Sequence, residues 1–463
     1  MKHVDLYLKN GLVYTNGCFE KINVGVAGEK IAFYELPGSE AAEESEQSAA
    51  RVIDAKGLHV LPGVIDFHCH IREPGLDEKE DYTTGTKAAA HGGVTAVCIM
   101  PNNLVGDIST PENFEYTIEC GRKHALIDYV PIPSPRAFKE GAVPKLCEMG
   151  ATYFKIKSKV PNDPVFPYGD NWVLDQALQE VARTGKYVAV HPMDVSWYYG
   201  TVEKIKNSGE PVDLMHALPQ LYGEVEMSSH AWQLAYFFRK TGCKWLALHC
   251  YHKGYIDLVR MLKKEGIMDI VASVEILPTS IRNFDLLYDR NTGKTIPLGH
   301  PGKPDWDYVW EAVNDGTIDF LGSDHSPHRA DQYHPETPFQ SVQGVPGEDF
   351  YTDLLLDAVN QGKLTMERLV EVTSVKGAKI MGWSQKGTNR IGTDADFTIC
   401  DLKKEWTVDD SFPIYSKPGL DSLYGQKLKG KVTHTIIRGT VVMEDDQILV
   451  EPGFGRFLKP DGK

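Results

Sequence analysis

Two histidines stand one residue apart at the end of an apolar run, in the stretch LHVLPGVIDFHCHIREPG of residues 58–75. Because side chains alternate between the two faces of a strand, His68 and His70 are expected to point the same way. Two neutral imidazoles on one face form half of a site for zinc or a similar ion. A pair of structural core histidines is the alternative interpretation of this motif alone.

Four further residues that could bind a metal also close apolar runs. Lys155 lies in ATYFKIK, His191 in YVAVHP, His249 in KWLALHC and Asp324 in IDFLGSDH. The carboxyl ends of the strands in a parallel barrel share one rim, where barrel enzymes carry their active sites. Six such residues on one rim predict a metal centre.

The elements that would position these residues are eight apolar runs separated by helical stretches. This alternation is typical of a parallel sheet, and eight repeats predict an α/β fold of the (β/α)8 TIM-like barrel type. The runs are VLPGVIDFHCH, TAVCIMPN, LIDYVPIPS, ATYFKIK, YVAVHP, KWLALHC, DIVASVEI and IDFLGSDH. In the first helix, Thr83 or Thr84 is expected to cap the N-terminus, and Gly92 to end the helix.

Both ends of the chain read as short strands, which predicts a second domain. We expect residues 1–57 and 386–463 to form a small β-sandwich beside a barrel domain at residues 58–385. The acidic stretch GSEAAEESEQSAA, residues 38–50, is interpreted as a solvated loop.

The amino-acid composition favours a soluble globular protein over a nucleic-acid-binding, membrane or secreted one. Hydrophobic residues make up 42% of the 463 residues and charged residues 24%, as in soluble globular proteins. The net charge of −15 argues against nucleic acid as a partner. There is no apolar run long enough to cross a membrane and no signal-peptide core. The eight cysteines show no metal-binding or disulfide-framework spacing, which favours a cytoplasmic protein.

Seven motifs resemble those of one known family. They are PGVIDFHCHIREPG, EDYTTGTKAAAHGGVTAVCIMPN, GATYFKIK, VAVHP, LALHC, DGTIDFLGSDHSPH and LKGKVTHTIIRGTVV. Through them the chain resembles the amidohydrolase superfamily, in particular its cyclic-amidase branch of dihydroorotases, allantoinases and hydantoinases. The resemblance implies a homo-oligomer, a dimer or a tetramer, that acts on a small cyclic amide or ureide.

The resemblance also implies a site for two divalent ions, expected to be zinc. His68, His70 and Asp324 would hold one ion, and His191 and His249 the other. A carbamylated lysine and a hydroxide would bridge the ions, and the hydroxide would cleave the cyclic amide C–N bond, or close it in the reverse reaction. Asp324 would act as general base and then as acid, although a role as ligand alone is compatible with the sequence.

Three lysines compete for the bridging role. Lys155, Lys157 and Lys159 alternate along one strand face, so periodicity does not choose between them. The Phe-Lys pair of the family matches Phe154-Lys155, which favours a carbamate on Lys155. Burial beside two cations disfavours the ammonium form, and only the neutral amine can take up CO2. A lysine that merely extends to the barrel rim is the alternative.

The substrate contacts are also inferred from the resemblance. In dihydroorotases an H-x-R arginine and an M-P-N asparagine hold the substrate carboxylate, and these match Arg72 and Asn102. A guanidinium fork suits a carboxylate, whereas a surface ion pair is the alternative for Arg72. His328 and His325 either line the pocket or are structural. Pro346 lies in GVPGE, which matches a family loop that contacts the ring through its backbone.

Some segments depart from the dihydroorotase pattern. N-P-P-L-R appears only as TIPLG at residues 295–299, and E-x-x-P-H has become EILPT at residues 275–279. GFGRFLKP, GSDHSPH and the proline after His191 favour the allantoinase and hydantoinase side. Because Arg72 and Asn102 match the dihydroorotase contacts with the substrate, our first hypothesis is nevertheless a dihydroorotase-like hydrolase. The alternatives are an allantoinase or a hydantoinase (dihydropyrimidinase), and more remotely a non-catalytic scaffold of the same fold.

Overall fold

Short strands open the chain, and one helix interrupts them. The computed structural model describes residues 4–101, 103, 108–157, 171–209, 212, 214–276, 286–297, 305–334, 339, 341, 342 and 344–462. The first strands are β1 (Val4–Lys9), β2 (Leu12–Thr15), β3 (Cys18–Lys21), β4 (Asn23–Ala27), β5 (Lys30–Glu35), β6 (Ala49–Asp54) and β7 (His59–Pro62).

All eight predicted apolar runs contain a strand of the barrel. These strands are β8 (Val64–Cys69), β9 (Val94–Ile99), β10 (Asp128–Pro131), β11 (Phe154–Lys157), β12 (Tyr187–His191), β13 (Lys244–Ala247), β14 (Ile270–Glu275) and, after a hairpin of β15 (Leu286–Asp289) and β16 (Lys294–Pro297), β17 (Phe320–Gly322). They pair in parallel, in the orders β10-β9-β8 and β11-β12-β13-β14-β17.

Backbone hydrogen bonds close these two sheets into one ring. The Lys155 N–H donates to the carbonyl of Pro133 (3.0 Å), which joins β11 to the end of β10. On the other side, the Asp324 N–H donates to the carbonyl of His68 (2.7 Å) and the His70 N–H to that of His325 (2.7 Å). The predicted (β/α)8 barrel is confirmed.

Most helices pack around the barrel through apolar stripes, whereas the first lies against β1 and β6. In chain order they are α1 (Glu40–Ser48), α2 (Tyr82–His91), α3 (Pro111–His124), α4 (Ala142–Met149), α5 (Asn171–Ala182), α6 (Val195–Lys206), α7 (Leu214–Leu221), α8 (Glu224–Thr241), α9 (Lys253–Glu265), α10 (Trp306–Asn314), α11 (Tyr351–Asn360), α12 (Met366–Val370) and α13 (Lys376–Met381). In α9, for example, Tyr255, Leu258, Val259 and Leu262 are buried at helical spacing. Of the helices described, none has the length and apolarity needed to cross a membrane.

The cap of α2 differs from the prediction. Asp81 is the N-cap, and its carboxylate accepts a hydrogen bond from the Thr84 N–H (2.7 Å). Thr84 is the third helical residue and completes a capping box, so the prediction of Thr83 or Thr84 as the cap was wrong. Gly92 ends the helix, as predicted.

The acidic stretch near residue 40 is a helix rather than the predicted loop. The Ser39 hydroxyl accepts from the Ala42 N–H (3.2 Å) and caps α1, and alanine and glutamate are good helix formers. Ala42 and Ser45 are buried, and Lys9 on β1 pairs with Glu46 at 2.5 Å. These tertiary contacts hold the charged helix on the sheet.

Strands from both chain ends form the second, sheet-rich domain, as predicted. The later strands are β18 (Phe397–Thr407), β19 (Leu420–Asp421), β20 (Lys427–Ile437), β21 (Thr440–Glu444) and β22 (Gln447–Ile448). One sheet has the order β22-β21-β20-β18-β7-β2-β3 and another the order β5-β4-β1-β6. Leu6, Val24, Val60, Phe397 and Ile436 belong to a core of their own. The exact boundaries at residues 57/58 and 385/386 stay a prediction.

The run VLPGVIDFHCH contains two strands instead of the one predicted. β7 pairs with β18 and β2 in the end-strand sheet, and only β8 belongs to the barrel. Gly63 separates them at a close approach, because a Cβ there would lie 2.4 Å from Thr95 Oγ1. The change of sheet within one apolar run therefore depends on a glycine.

A buried ion cluster joins the base of the barrel to the end-strand sheet. Lys386 Nζ lies 2.7 Å from both Asp128 Oδ2 and Asp396 Oδ2, and 3.1 Å from Asp394. Asp128 begins barrel strand β10 and also pairs with Arg438, which follows β20. We name these five residues the junction cluster.

Candidate metal centre

The predicted metal-binding residues lie on one rim of the barrel. His68 is in β8 and His70 follows it, while Lys155 is in β11. His191 is the last residue of β12, and His249 comes two residues after β13. Asp324 comes two residues after β17. Five of the six predicted residues thus lie at or just beyond the carboxyl ends of barrel strands, and Lys155 is the second residue of the four-residue strand β11.

Three of these residues form a tight donor group. One ligand atom each from His68, His249 and Asp324 lies within 4.8 Å of the other two. Asp324 Oδ1 is 3.1 Å from His70 Nε2 and 3.5 Å from His68 Nε2. The ring of His191 is centred 4.4 Å from that of His249. The structure thus brings four histidines and one carboxylate together.

Lys155 belongs to the same neighbourhood. Lys155 is buried, with only 2% of its surface exposed to solvent. Burial is the main cause that lowers the pKa of His68, and the nearby Lys155 charge is the next. Lys159, the third candidate lysine, lies outside the described residues.

Two of the site residues have a backbone conformation that is unusual for side-chain-bearing residues. The φ angles of His249 and Asp324 are 59° and 54°, in the left-handed region. Such conformations persist where the surrounding structure enforces them, and they cluster at functional sites. Here they occur at two residues of the tight donor group.

The protonation states suit a cation. Burial lowers the pKa of His70 well below its ordinary value, so the imidazole is neutral at pH 7. Burial alone would raise the pKa of Asp324, but the neighbouring His68 and His70 outweigh it and the pKa is lowered. Neutral imidazole and ionised carboxylate are the forms that bind metals.

Unsatisfied buried atoms test whether these residues fit a metal. In the described part of the chain, His249 Nε2 and His70 Nδ1 are buried without a hydrogen-bond partner, while His68 Nδ1 has only a long contact of 3.4 Å with Glu275. Leaving such an atom unpaired costs about 1–3 kcal/mol. An ion ligated by His249 Nε2 would remove that cost, and imidazole with carboxylate is a donor set that zinc accepts. The residues fit a divalent metal.

Comparisons with known proteins agree with this site and fold. Residues 59–442 match the model of the amidohydrolase family. The chain belongs to the amidohydrolase family, in its cyclic-amidase branch.

Relatives of this amidohydrolase carry three enzyme names. It is 29% identical to an allantoinase of Rubrobacter xylanophilus, over 99% of this chain and 98% of the relative. It is 30% identical to a dihydroorotase of Syntrophus aciditrophicus, over 86% of this chain and 90% of the relative. The solved L-hydantoinase (dihydropyrimidinase) from Arthrobacter aurescens superimposes with a TM-score of 0.87 at 26% identity, over 98% of this chain and 100% of that one.

Glu275 is a site residue that the sequence analysis did not assign. It ends barrel strand β14 and is completely buried. One carboxylate oxygen is 2.7 Å from His249 Nδ1, and the other is 3.4 Å from His68 Nδ1. A polar residue at the end of the seventh strand was the available signal, the same rule that identified the other six.

Arg72 of this amidohydrolase is buried, with 4% exposure. Its Nη2 donates to Ser326 Oγ (2.6 Å) and lies 3.3 Å from His328 Nε2, while its Nε has no partner among the described residues. Burial lowers its pKa to about 10. No described carboxylate lies at ion-pair distance from it, so the surface ion pair considered for Arg72 is wrong.

The other predicted substrate contacts have different environments. His328 is half-buried and links Arg72 to Lys79, whose Nζ is 3.2 Å from His328 Nδ1. Pro346 is buried, and its carbonyl accepts a hydrogen bond from Ser422 (3.4 Å). Asn102 lies outside the described residues. The roles of these residues stay predictions.

His325 is held by backbone and carboxylate groups. Its Nδ1 accepts hydrogen bonds from the N–H groups of Gly347 (3.1 Å) and Glu348 (3.2 Å). Its Nε2 lies 3.3 Å from Glu80, and the residue is 1% exposed. Of the two roles considered for His325, these contacts favour the structural one.

Proposed function

We propose that this amidohydrolase hydrolyses, or in reverse closes, a cyclic amide whose ring carries a carboxylate, as in dihydroorotate. The buried guanidinium of Arg72 supports this proposal. Its described side-chain partners, Ser326 and His328, are not carboxylates. The Arg72 charge is also one of the causes that lower the pKa of His70, a residue of the candidate metal centre. An anionic group of the substrate is the partner that such a guanidinium would bind. Asn102 and His328 are proposed to help hold that group, with the Pro346 loop against the ring.

The proposed cofactor is a pair of divalent ions, with zinc favoured by the imidazole donors. His68, His70 and Asp324 would hold one ion, and His191 and His249 the other, with a carbamate on Lys155 between them. When bound, such ions supply Lewis acidity, which activates a water and polarises the scissile carbonyl.

Asp324 is proposed to move the proton of the reaction. With Oδ1 held by His70, Oδ2 is the oxygen that takes the proton of the attacking water. A C–O bond then forms at the ring carbonyl carbon and the C–N bond breaks. The same proton passes from Asp324 to the leaving ring nitrogen. Arg72 would keep the ring oriented during these steps.

A second candidate function is hydrolysis of an uncharged ring, by an allantoinase or a hydantoinase. The observation that favours it is the similarity to an allantoinase over 99% of this chain, compared with 86% for a dihydroorotase. The two candidates share the metal centre and differ in the use of Arg72.

The deciding experiment is a substrate panel. We expect measurable kcat/KM on dihydroorotate, loss of activity after chelation, and recovery on addition of zinc. Allantoin, hydantoin and dihydrouracil complete the panel. A protein that ignores dihydroorotate but hydrolyses allantoin would establish the second candidate, and full activity without metal would contradict both.

We further propose a homo-oligomer in a reducing compartment such as the cytoplasm. Val225, Trp232 and Tyr236 lie on one face of α8 and are 50%, 52% and 66% exposed, which is a costly apolar surface for a monomer. All eight cysteines are free thiols. Light scattering should give two or four times the chain mass of 51.7 kDa, and a monomer would contradict the proposal.

A further inference from the structure

One buried carboxylate stands between the two groups of candidate metal ligands. Glu275 Oε2 is 2.7 Å from His249 Nδ1, and Oε1 is 3.4 Å from His68 Nδ1. In the proposed site these two histidines bind different ions. A single side chain therefore contacts a ligand of each ion position.

The carboxylate is itself firmly held. Its Oε2 accepts from the backbone N–H of His249 (2.9 Å) and is 3.4 Å from the Tyr251 hydroxyl. Its Oε1 accepts from the Ser273 hydroxyl (2.5 Å). With neither oxygen exposed to solvent, Glu275 has little freedom to turn away from the imidazoles.

The chemistry of these contacts fixes the orientation of the histidines. An ionised carboxylate only accepts hydrogen bonds, so an imidazole nitrogen that faces it must carry the proton. A proton on Nδ1 leaves the lone pair on Nε2. His249 Nε2 is buried without a described partner. His68 lies between two carboxylates, with Nδ1 3.4 Å from Glu275 and Nε2 3.5 Å from Asp324. Since His68 and Asp324 would both bind the same proposed ion, Glu275 is the carboxylate that the proton of His68 faces.

We propose that Glu275 is a positioning residue that holds His68 and His249 with protonated Nδ1, so that both present Nε2 lone pairs to the ions. This inference rests on the proposed function. It predicts that one substitution weakens both ion positions, although Glu275 would bind neither ion.

Glutamine is the informative replacement. It has nearly the shape of glutamate, but it offers one accepting oxygen and an NH2 group. It can therefore accept from His249 or from His68, but not from both. Partners of metal-bound histidines typically contribute 10- to 100-fold to metal affinity. We expect the zinc affinity of Glu275→Gln to fall by about that factor, with the larger loss at the ion held by the imidazole that glutamine no longer supports.

The measurement is a zinc competition titration of metal-free protein with a chromophoric chelator. Asp353→Asn is the matched control, because Asp353 is equally buried but accepts from the Val432 N–H (2.7 Å) and pairs with Lys431. The control should bind zinc like wild type even if its melting temperature falls. Glu275→Gln with wild-type affinity for both ions would overturn the inference.

Two further readings keep the test decisive. A wild-type protein that binds no zinc would contradict the proposed function. If wild type binds zinc and Glu275→Gln binds it with the same affinity, only the positioning role is contradicted. If the variant does not fold, nitrogen-15 spectra of histidine-labelled wild type report the tautomers directly. A proton on Nε2 of His249 in the metal-free protein would then overturn the inference.

Discussion

A buried guanidinium such as that of Arg72 keeps its charge, and an unpaired charge inside a protein is costly. Ser326 and His328 are hydrogen-bond partners that carry no negative charge, so they satisfy the geometry of the guanidinium but do not balance its charge. At the scale of single residues, this charge is the feature by which we expect a carboxylate-bearing ring to be distinguished from an uncharged one.

Arg72→Met should therefore act selectively. Loss of a buried charge-assisted pair costs about 2–5 kcal/mol, which corresponds to a fall in kcat/KM on dihydroorotate of roughly thirty-fold to several thousand-fold. On allantoin, which has no anionic group, the same variant should be nearly unaffected. Wild-type kcat/KM on dihydroorotate in Arg72→Met would show that the guanidinium does not bind the substrate.

Lys155→Ala should remove one of the two proposed ions and the hydrolytic activity, because the proposed carbamate on Lys155 would be lost. Metal content by atomic emission and kcat are the measurements, with Lys157→Ala as the control that keeps both. Short-chain carboxylic acids should restore some turnover to Lys155→Ala. The reverse pattern, with Lys157 essential, would mean that the wrong lysine was chosen.

The site residues that the sequence made predictable share one physical property. They interrupt strands that are otherwise apolar, and strand ends of a parallel barrel converge. Glu275 obeys the same rule, but the sequence analysis considered it only as part of EILPT, the segment that differs from the E-x-x-P-H motif of dihydroorotases. The contacts of His325 with Gly347 and Glu348 depend on a loop whose path no local pattern determines.

At the scale of elements, capping decides where α2 begins. Asp81→Ala should lower the free energy of unfolding by about 1 kcal/mol, the usual contribution of an N-cap. Asp81 also pairs with Lys417 at 2.5 Å, so Asp81→Asn is the control that keeps the cap but loses the ion pair. In urea titrations the asparagine variant should lose clearly less than the alanine variant. Equal losses would assign the effect to the ion pair instead.

The strands of the barrel were predictable because their burial is nearly continuous, whereas two other elements were not. The sequence of α1 resembles that of a charged loop. The helix is stabilised by the Ser39 cap and by the ion pair between Glu46 and Lys9 on β1, and the second of these contacts is not visible in the local sequence. The division of one apolar run into β7 and β8 depends on pairing with β18, which is more than 300 residues away in the chain. Long-range pairing leaves no local mark.

At the scale of the whole molecule, the junction cluster holds the two domains together. Lys386→Met should lower the free energy of unfolding by about 3–5 kcal/mol, because it leaves buried carboxylates unpaired. Lys30→Met is the matched control: Lys30 also pairs with Asp394 (2.6 Å), but its side chain is 44% exposed and such pairs contribute about 0–1 kcal/mol. Similar losses in both variants, measured by urea titration, would contradict a special role for the junction cluster.

The junction cluster also sets an order of events during synthesis. Asp128 emerges from the ribosome long before Lys386, Asp396 and Arg438, the last of which follows 310 residues later (438 − 128). At about 5–20 residues per second, that interval is roughly 15–60 s. Lys386 is translated 258 residues after Asp128, and until then the carboxylate at the base of strand β10 has neither its lysine nor its arginine partner. We therefore expect the base of the barrel to complete its packing only after Lys386 and the later strands of the end-strand sheet have been translated, so that folding of the barrel domain waits for translation of the other.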